Sequence, residues 1–338
     1  MQDGEKSIYG KIDRLTGQAR AFQGAVVLCA AAEHEIFELL AGGALTPAQV
    51  ASKKGLDERA TGIVLHALAG MRLLEKEPDG RFSLAGDAAE LLTRGKPYYQ
   101  GDIIRHTGHL IKRWAQLPEV LRTGRPAEGA RPLDDSRQRR DFILGMSNIA
   151  RLSASKIAAL LNLEGTRHML DLGGGPGTYA IAFCELVPGM RATIFDLPEV
   201  IDEITCGQIE NAGLSGRIGC LRGDYLKDDL GAGYDLILIS NIIHSLDEAG
   251  CRELIRRSRE ALIPGGRIIV KDFLLEEDMV DPPFASMFAV NMLVGTEGGR
   301  CYSVDEVRRW LSDLGFGDGV TVAELSPQAR MVIGIRRE

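Results

Sequence analysis

The chain has 338 residues, 45% of them hydrophobic and 26% charged, enough for two globular domains with a sizeable core. Its formal net charge of -7 opposes nucleic-acid binding over most of the surface. No apolar run approaches the ~18 residues of a membrane span, and the start "MQDGEKSIYG" is polar, so the expectation is a cytoplasmic protein without membrane or nucleic-acid partners.

Before about residue 160, helical patterns dominate. "YGKIDRLTGQARAFQGAVVLCAAAEHEIFELLAGG" carries apolar residues at helical spacing and stops on a glycine pair. In the next segment Thr46 and Pro47 start a helix, Gly55 ends it, Asp57 caps a second, and "LLEKEPDGRFSL" reads as a hairpin turning at Asp79-Gly80. That order is a winged helix. Residues 46 to 92 hold six basic residues (Lys53, Lys54, Arg59, Arg72, Lys76, Arg81) against seven acidic ones (Asp57, Glu58, Glu75, Glu77, Asp79, Asp87, Glu90). A DNA-reading module carries a basic excess, which speaks against DNA reading by this one. Residues 94 to 136 are rich in Pro, Gly and Arg, with a helical insert around Trp114, and "DFILGMSNIARLSASKIAALLNL" resumes as helix.

After residue 160, "HMLDL", "RATIFDL", "YDLILIS" and "GRIIVKDFLL" alternate with helical stretches and look like strands buried on both faces of a parallel sheet. The expected fold is α/β: a Rossmann-like domain with a mostly parallel sheet over 161–338, a helical and winged-helix domain over 1–100, and a helical linker over 101–160. The six cysteines (Cys29, Cys184, Cys206, Cys220, Cys251, Cys301) are scattered, with no CxxC, so neither a disulfide framework nor a metal site is expected.

The chemistry starts at Asp171-Leu172-Gly173-Gly174-Gly175-Pro176-Gly177, which follows a strand pattern and opens a helix. Open α/β sheets bind ligands at that edge. The loop has neither the Walker lysine nor the last dinucleotide glycine, which disfavours a phosphate ligand. Asp196 ends the next strand, where a carboxylate accepts ribose hydroxyls. Asp224 and Tyr225 come one strand later, suited to an adenine amino group and ring face. Loop, acid, then acid with aromatic is a layout for adenosine without phosphates.

At this point the sequence resembles a family. The sheet domain is similar to class I S-adenosylmethionine (SAM) methyltransferases, and the whole chain resembles the plant caffeate and isoflavone O-methyltransferases and their bacterial small-molecule relatives. The matching segments are "LDLGGGPG", "FDLPEVI", "GDYL", "SNIIHSLDEAGC", "EALIPGGRIIVKDFLL" and "GGRCYSVDEVRRWLSDLGF". The resemblance implies a homodimer formed through the N-terminal helical and winged-helix domain of 1–100, a linker over 101–160 contributing to the acceptor pocket, and SAM held by Asp171, Gly173, Gly175, Asp196, Leu197, Asp224, Tyr225 and Ser240. It implies His244 as the catalytic histidine, Asp272 as a carboxylate orienting its ring, and Met146, Phe288, Asn291 and Met292 at the acceptor, with Arg300 a further candidate for binding it.

Two positions depart from the family pattern. Ser245 follows the histidine where the family has Asp, and Cys301 stands in "GGRCYS" where it has a second flanking acid. The first reading is O-methylation of a small molecule, with His244 taking the hydroxyl proton. The alternative is S-methylation of a thioether, which has no proton to lose, as in the bacterial S-methyltransferases acting on a methylthio-hydroxy acid on the route to dimethylsulfoniopropionate. A more distant one is a SAM-responsive winged-helix regulator reading DNA. A carboxylate-bearing acceptor would call for a guanidinium, and Arg105, His106, His109, Arg113, Arg139, Arg140 and Arg300 lie in segments expected near the pocket.

Overall fold

The computed structural model describes residues 2–129, 135–317, 321–326 and 329–337. The chain divides into two compact units, Met1–Lys112 and Arg113–Glu338. The division falls inside one helix, so residues 101–112 of the expected linker go with the first unit and the remainder with the second.

The first unit opens with α1 (Gln2–Arg20), α2 (Phe22–Glu33) and α3 (Ile36–Leu40). In α4 (Pro47–Lys54) the Thr46 hydroxyl accepts from the Gln49 N–H while the Gln49 side chain accepts from the Thr46 N–H, and Gly55 ends the helix at φ 66°. The Asp57 carboxylate caps α5 (Glu58–Gly70), and β1 (Leu74–Lys76) pairs antiparallel with β2 (Phe82–Leu84) around a turn with Gly80 at φ 86°. Each signal of the winged-helix reading is therefore realised by the bond expected of it. Phe37, Leu65, Leu68 and Phe82 fill the core of this unit. The elements α6 (Gly86–Leu91) and α7 (Gly101–Trp114) follow. Along α1, Tyr9, Ile12 and Leu15 remain exposed.

The second unit adds α8 (Leu117–Thr123) and the long α9 (Ser136–Leu161), capped by the Asp135 carboxylate, before the sheet begins. Strands β3 (His168–Leu172), β4 (Arg191–Asp196), β5 (Ile218–Arg222), β6 (Tyr234–Ser240) and β7 (Leu262–Asp272) are parallel, as the apolar runs of β3, β4, β6 and β7 predict. Helix α10 (Thr178–Leu186) connects β3 to β4. Past β4 come α11 (Pro198–Val200), a π-helical turn and α12 (Cys206–Asn211). The remaining helices are α13 (Glu248–Ala261), α14 (Pro283–Gly295) and α15 (Val304–Asp313). Two further strands, β8 (Thr321–Ser326) and β9 (Ala329–Ile335), close the sheet antiparallel, giving the order β5-β4-β3-β6-β7-β9-β8. The sequence reading named neither of these last two.

Register is what gathers the site. Leu172 pairs with both Phe195 and Ile239, and Ser240 pairs with Lys271, so β3, β4, β6 and β7 end level with one another. The residues that follow, Gly173 to Gly177, Asp196 and Leu197, Asn241 to Ser245, and Asp272 and Phe273, all emerge along one edge. Side chains alternate across the sheet: Leu170, Ile237, Ile239 and Val270 pack on one face, while Met169, Leu238, Ile269 and Met331 pack on the other.

Candidate functional site

The turn after β3 is possible only with glycine. Gly173, Gly175 and Gly177 sit at φ 67°, 53° and 74°, in the left-handed region. A Cβ on Gly174 would lie 2.8 Å from the Asp171 carboxyl carbon. Ile143, from α9, reaches within 3.9 Å of where a Cβ on Gly175 would stand, so the long helix covers this loop.

Asp196 braces the loop from β4. One carboxylate oxygen accepts the Gly175 N–H at 2.7 Å and the other accepts the Leu197 N–H at 2.7 Å. Burial pushes this carboxyl up, while those two N–H groups pull it down. Asp171 differs from its neighbours in the predicted set. It is 1% exposed and lies beneath the loop, with the Ala180 N–H 3.3 Å from its carboxylate, and burial pushes it up to about 7. Its carboxylate thus supports the turn from below.

Asp224 is partly open. Burial would raise its carboxyl, but the Lys227 ammonium at 2.8 Å and the Leu226 N–H at 2.9 Å leave it below the usual range. The Tyr225 ring stands near Gly173, its Cε1 3.9 Å from the position of a Cβ there, and burial raises its hydroxyl to about 12. Ser240, at the end of β6, has a buried Oγ with no hydrogen-bond partner among the described residues. Asp196, Tyr225 and Gly173 to Gly175 are therefore brought together, and the bare glycine backbone with an unsatisfied hydroxyl beside it fits a ligand lying across the edge.

His244 occupies a short 3-10 turn, Ile243–Ser245, just past β6. Its Nδ1 is 2.6 Å from Asp272 Oδ1, which also accepts the Phe273 N–H at 2.8 Å. The Asp272 side chain is 2% exposed and that of His244 12%. With the Nδ1 proton directed at the carboxylate, Nε2 carries the lone pair, and among the described residues no hydrogen-bond partner faces it. The Phe288 ring meets the imidazole edge-on at 4.9 Å, and Phe273 and Phe284 extend this into an aromatic wall. A Cβ on Gly299 would lie 2.4 Å from the His244 carbonyl oxygen, so the glycine pair of "GGRCYS" packs directly under the histidine turn.

The other predicted acceptor residues divide. Phe288 is at the histidine. Asn291 Oδ1 accepts the Trp114 indole N–H at 2.9 Å, Met292 is buried in α14, and Met146 is half-buried on α9. Arg300 faces Glu306 at 2.6 Å and stacks over Tyr302 at 4.1 Å, so its guanidinium is already engaged. Arg139 is likewise held, bidentate to Glu203, and within the first unit Arg105 is held by Asp102, Tyr99 and Glu38. Cys301 is buried among Leu275, Ala285 and Phe288, and burial lifts its thiol to about 12, an inert group. Ser245 donates to the Ile242 carbonyl at 2.7 Å. The sequence reading missed Phe273 and Lys271. A lysine directly after the apolar run "IIV" in a strand was the available signal.

Comparison with known proteins gives this geometry its context. A family model described as the O-methyltransferase domain matches residues 123–317, and the O-methyltransferase dimerisation domain matches residues 18–94. The chain belongs to the O-methyltransferase family. This O-methyltransferase is 32% identical over 325 residues to 3-hydroxy-5-methyl-1-naphthoate 3-O-methyltransferase of Streptomyces sahachiroi, covering 94% of this chain and 93% of that protein. It is 32% identical over 318 residues to acetylserotonin O-methyltransferase of Bos taurus, covering 89% and 91%. The human N-acetylserotonin methyltransferase, solved in complex with SAM, superposes with a TM-score of 0.85 at 25% identity, covering 97% of this chain and 98% of that one. The O-methyltransferase uses SAM as its cofactor and transfers the methyl group to a small-molecule acceptor. Among the described residues no helix is long and apolar enough to cross a membrane, and no group of His, Cys, Asp and Glu is arranged to hold a metal ion.

Proposed function

We propose that the acceptor is a planar aromatic hydroxyl compound and that His244 removes its proton while Asp272 fixes the imidazole. The observation that carries this is the His244–Asp272 pair set against the Phe273, Phe284 and Phe288 wall. The relatives named above act, by their names, on a hydroxynaphthoate and on acetylserotonin, which supports an aromatic acceptor here.

SAM, when bound, supplies an electrophilic sulfonium methyl whose departure leaves a neutral thioether. Toward it, Asp196 would accept from the ribose, and Asp224 and Tyr225 would engage the adenine. Gly173 and Gly175 would let the backbone approach, with Leu197 and Ser240 flanking and Asp171 supporting the turn from beneath. At the acceptor, Nε2 of His244 takes the hydroxyl proton, and the charge arriving on the ring meets the Asp272 carboxylate. Met146, Phe288, Asn291 and Met292 would shape the acceptor side. Arg300 has its charge satisfied by Glu306, which leaves it a structural place at the rim. Alignment is the larger share of the work, since positioning two reactants is worth about 7–11 kcal/mol of barrier. A homodimer formed through the first unit accords with its match to a dimerisation domain and with the exposed Tyr9, Ile12 and Leu15.

The test is release of S-adenosylhomocysteine across naphthols, hydroxynaphthoates, hydroxyindoles, aliphatic alcohols and methylthio acids, for the wild type and His244→Ala. Turnover of an aromatic hydroxyl that collapses in the variant is expected. Turnover confined to a thioether acid and surviving in the variant would overturn the proposal in favour of S-methylation.

A further inference from the structure

Lys271 lies in the buried part of β7, and its surroundings are unusual for a cation. It is 5% exposed, its Nζ lies 3.0 Å from Asn241 Oδ1, and it stands 5.7 Å and 6.0 Å from the Tyr179 and Phe273 ring centroids. An ammonium has three N–H donors, and buried charges are ordinarily paired with an opposite charge. Among the described residues no carboxylate lies within ion-pair distance of Nζ.

Its immediate neighbour across the sheet is also unsatisfied. Ser240 pairs with Lys271 in the β6–β7 register, both side chains lie on the α10 face, and the Ser240 Oγ is buried without a partner among the described residues. Asn241 is pinned in the left-handed region at φ 57°, its N–H bonded to the Lys271 carbonyl at 2.8 Å, which holds Oδ1 against the ammonium and leaves the other donors unused. Two adjacent buried donors, one charged and one neutral, suit the two oxygens of one carboxylate. They sit at the common edge of the strands, between Tyr179 of the helix after the glycine loop and Phe273 of the aromatic wall.

We propose that Lys271 and Ser240 form a carboxylate-binding subsite at the end of β6 and β7, filled by the amino-acid end of the cofactor or by an acid group on the acceptor. The proposal rests on the function proposed above, because both sources of the carboxylate come from it. Lys271 sets which ligands are held there and takes no part in proton removal, since it lies on the opposite face of β7 from Asp272.

Calorimetry and kinetics on Lys271→Met separate the sources. If the cofactor supplies the carboxylate, the wild type binds SAM at least about 10-fold more tightly than decarboxylated SAM, and the variant loses that preference. If the acceptor supplies it, S-adenosylhomocysteine binds both proteins alike, while the KM of a hydroxynaphthoate rises about 10-fold in the variant and that of the matching naphthol does not. Unchanged cofactor preference together with an unchanged ratio of acid to neutral acceptor overturns the subsite while leaving the proposed function standing. A wild type that binds no S-adenosylhomocysteine overturns both. Should thermal melting show Lys271→Met unfolded, Ser240→Ala is read through the same two arms.

Discussion

His244 Nδ1 and Asp272 Oδ1 are 2.6 Å apart although 28 residues separate them, and each comes from the end of a different parallel strand or the turn just beyond it. The pairing fixes the tautomer, so its two members should fail differently. His244→Ala should lower kcat by ~10²-fold or more and leave calorimetric affinity for S-adenosylhomocysteine within about threefold. Asp272→Asn keeps the shape but can hand an amide N–H to Nδ1, moving the proton to Nε2. It should therefore lose kcat on a scale approaching His244→Ala, and an unimpaired Asp272→Asn would remove the orienting role.

Asp196 has two tasks, because its oxygens already hold the Gly175 and Leu197 N–H groups. Asp196→Ala should abolish measurable binding of SAM and lower the melting temperature, since the loop loses its brace. Asp196→Asn retains one acceptor and should melt closer to wild type while still binding weakly. Equal SAM affinity in wild type and Asp196→Ala by calorimetry would dismiss the cofactor assignment.

Gly299 offers a test of position without touching a reacting group. A methyl there meets the His244 carbonyl oxygen at 2.4 Å and the Ser245 backbone at 3.1 Å, and neither backbone group yields easily. Gly299→Ala should displace the histidine turn and reduce kcat by about 10-fold or more, in keeping with the sensitivity of aligned reactions to small shifts. Binding of S-adenosylhomocysteine should persist; its parallel loss would mean general unfolding.

Asp171 makes stability depend on pH. Its folded-state carboxyl is raised to about 7 from 3.8, so the folded chain holds a proton that the unfolded chain has released. The sign follows: the contribution is fully present below about pH 4 and is lost as pH rises through about 7. At about 1.4 kcal/mol per unit the span amounts to no more than about 4 kcal/mol. Denaturant titrations from pH 5 to 8 should show wild type losing stability relative to Asp171→Asn, and parallel curves would contradict the burial argument.

Much of this was legible in the sequence where the determining interactions are local. The caps at Thr46 and Asp57, the Asp79-Gly80 turn and the strand-to-helix glycine loop are all set within a few residues, and each appears where its residues called for it. Long-range partnerships were not legible. Nothing in "NMLVG" announces that Asn291 accepts from Trp114, 177 residues away, and nothing in "GGRCYS" shows that Arg300 turns to Glu306. Asp171 shows a subtler limit. Its place in the motif was clear, but nothing in the motif announces that its carboxyl is buried beneath the turn against the Ala180 N–H.

The side chains of β7 give the site a polarity. Asp272 faces the imidazole and Lys271, one residue earlier, faces the other side of the sheet, so the strand carries opposite charges to its two faces. A slip of one residue would exchange them, setting an ammonium against His244 and a carboxylate against the Ser240 hydroxyl. The frame is held from both edges, by β6 with Ser240 opposite Lys271 and by the antiparallel β9 with Asp272 opposite Arg330 and Lys271 opposite Met331. The strand β9, remote from the chemistry in sequence and carrying none of it, thereby shares in setting the sign of the charge that each half of the reaction meets.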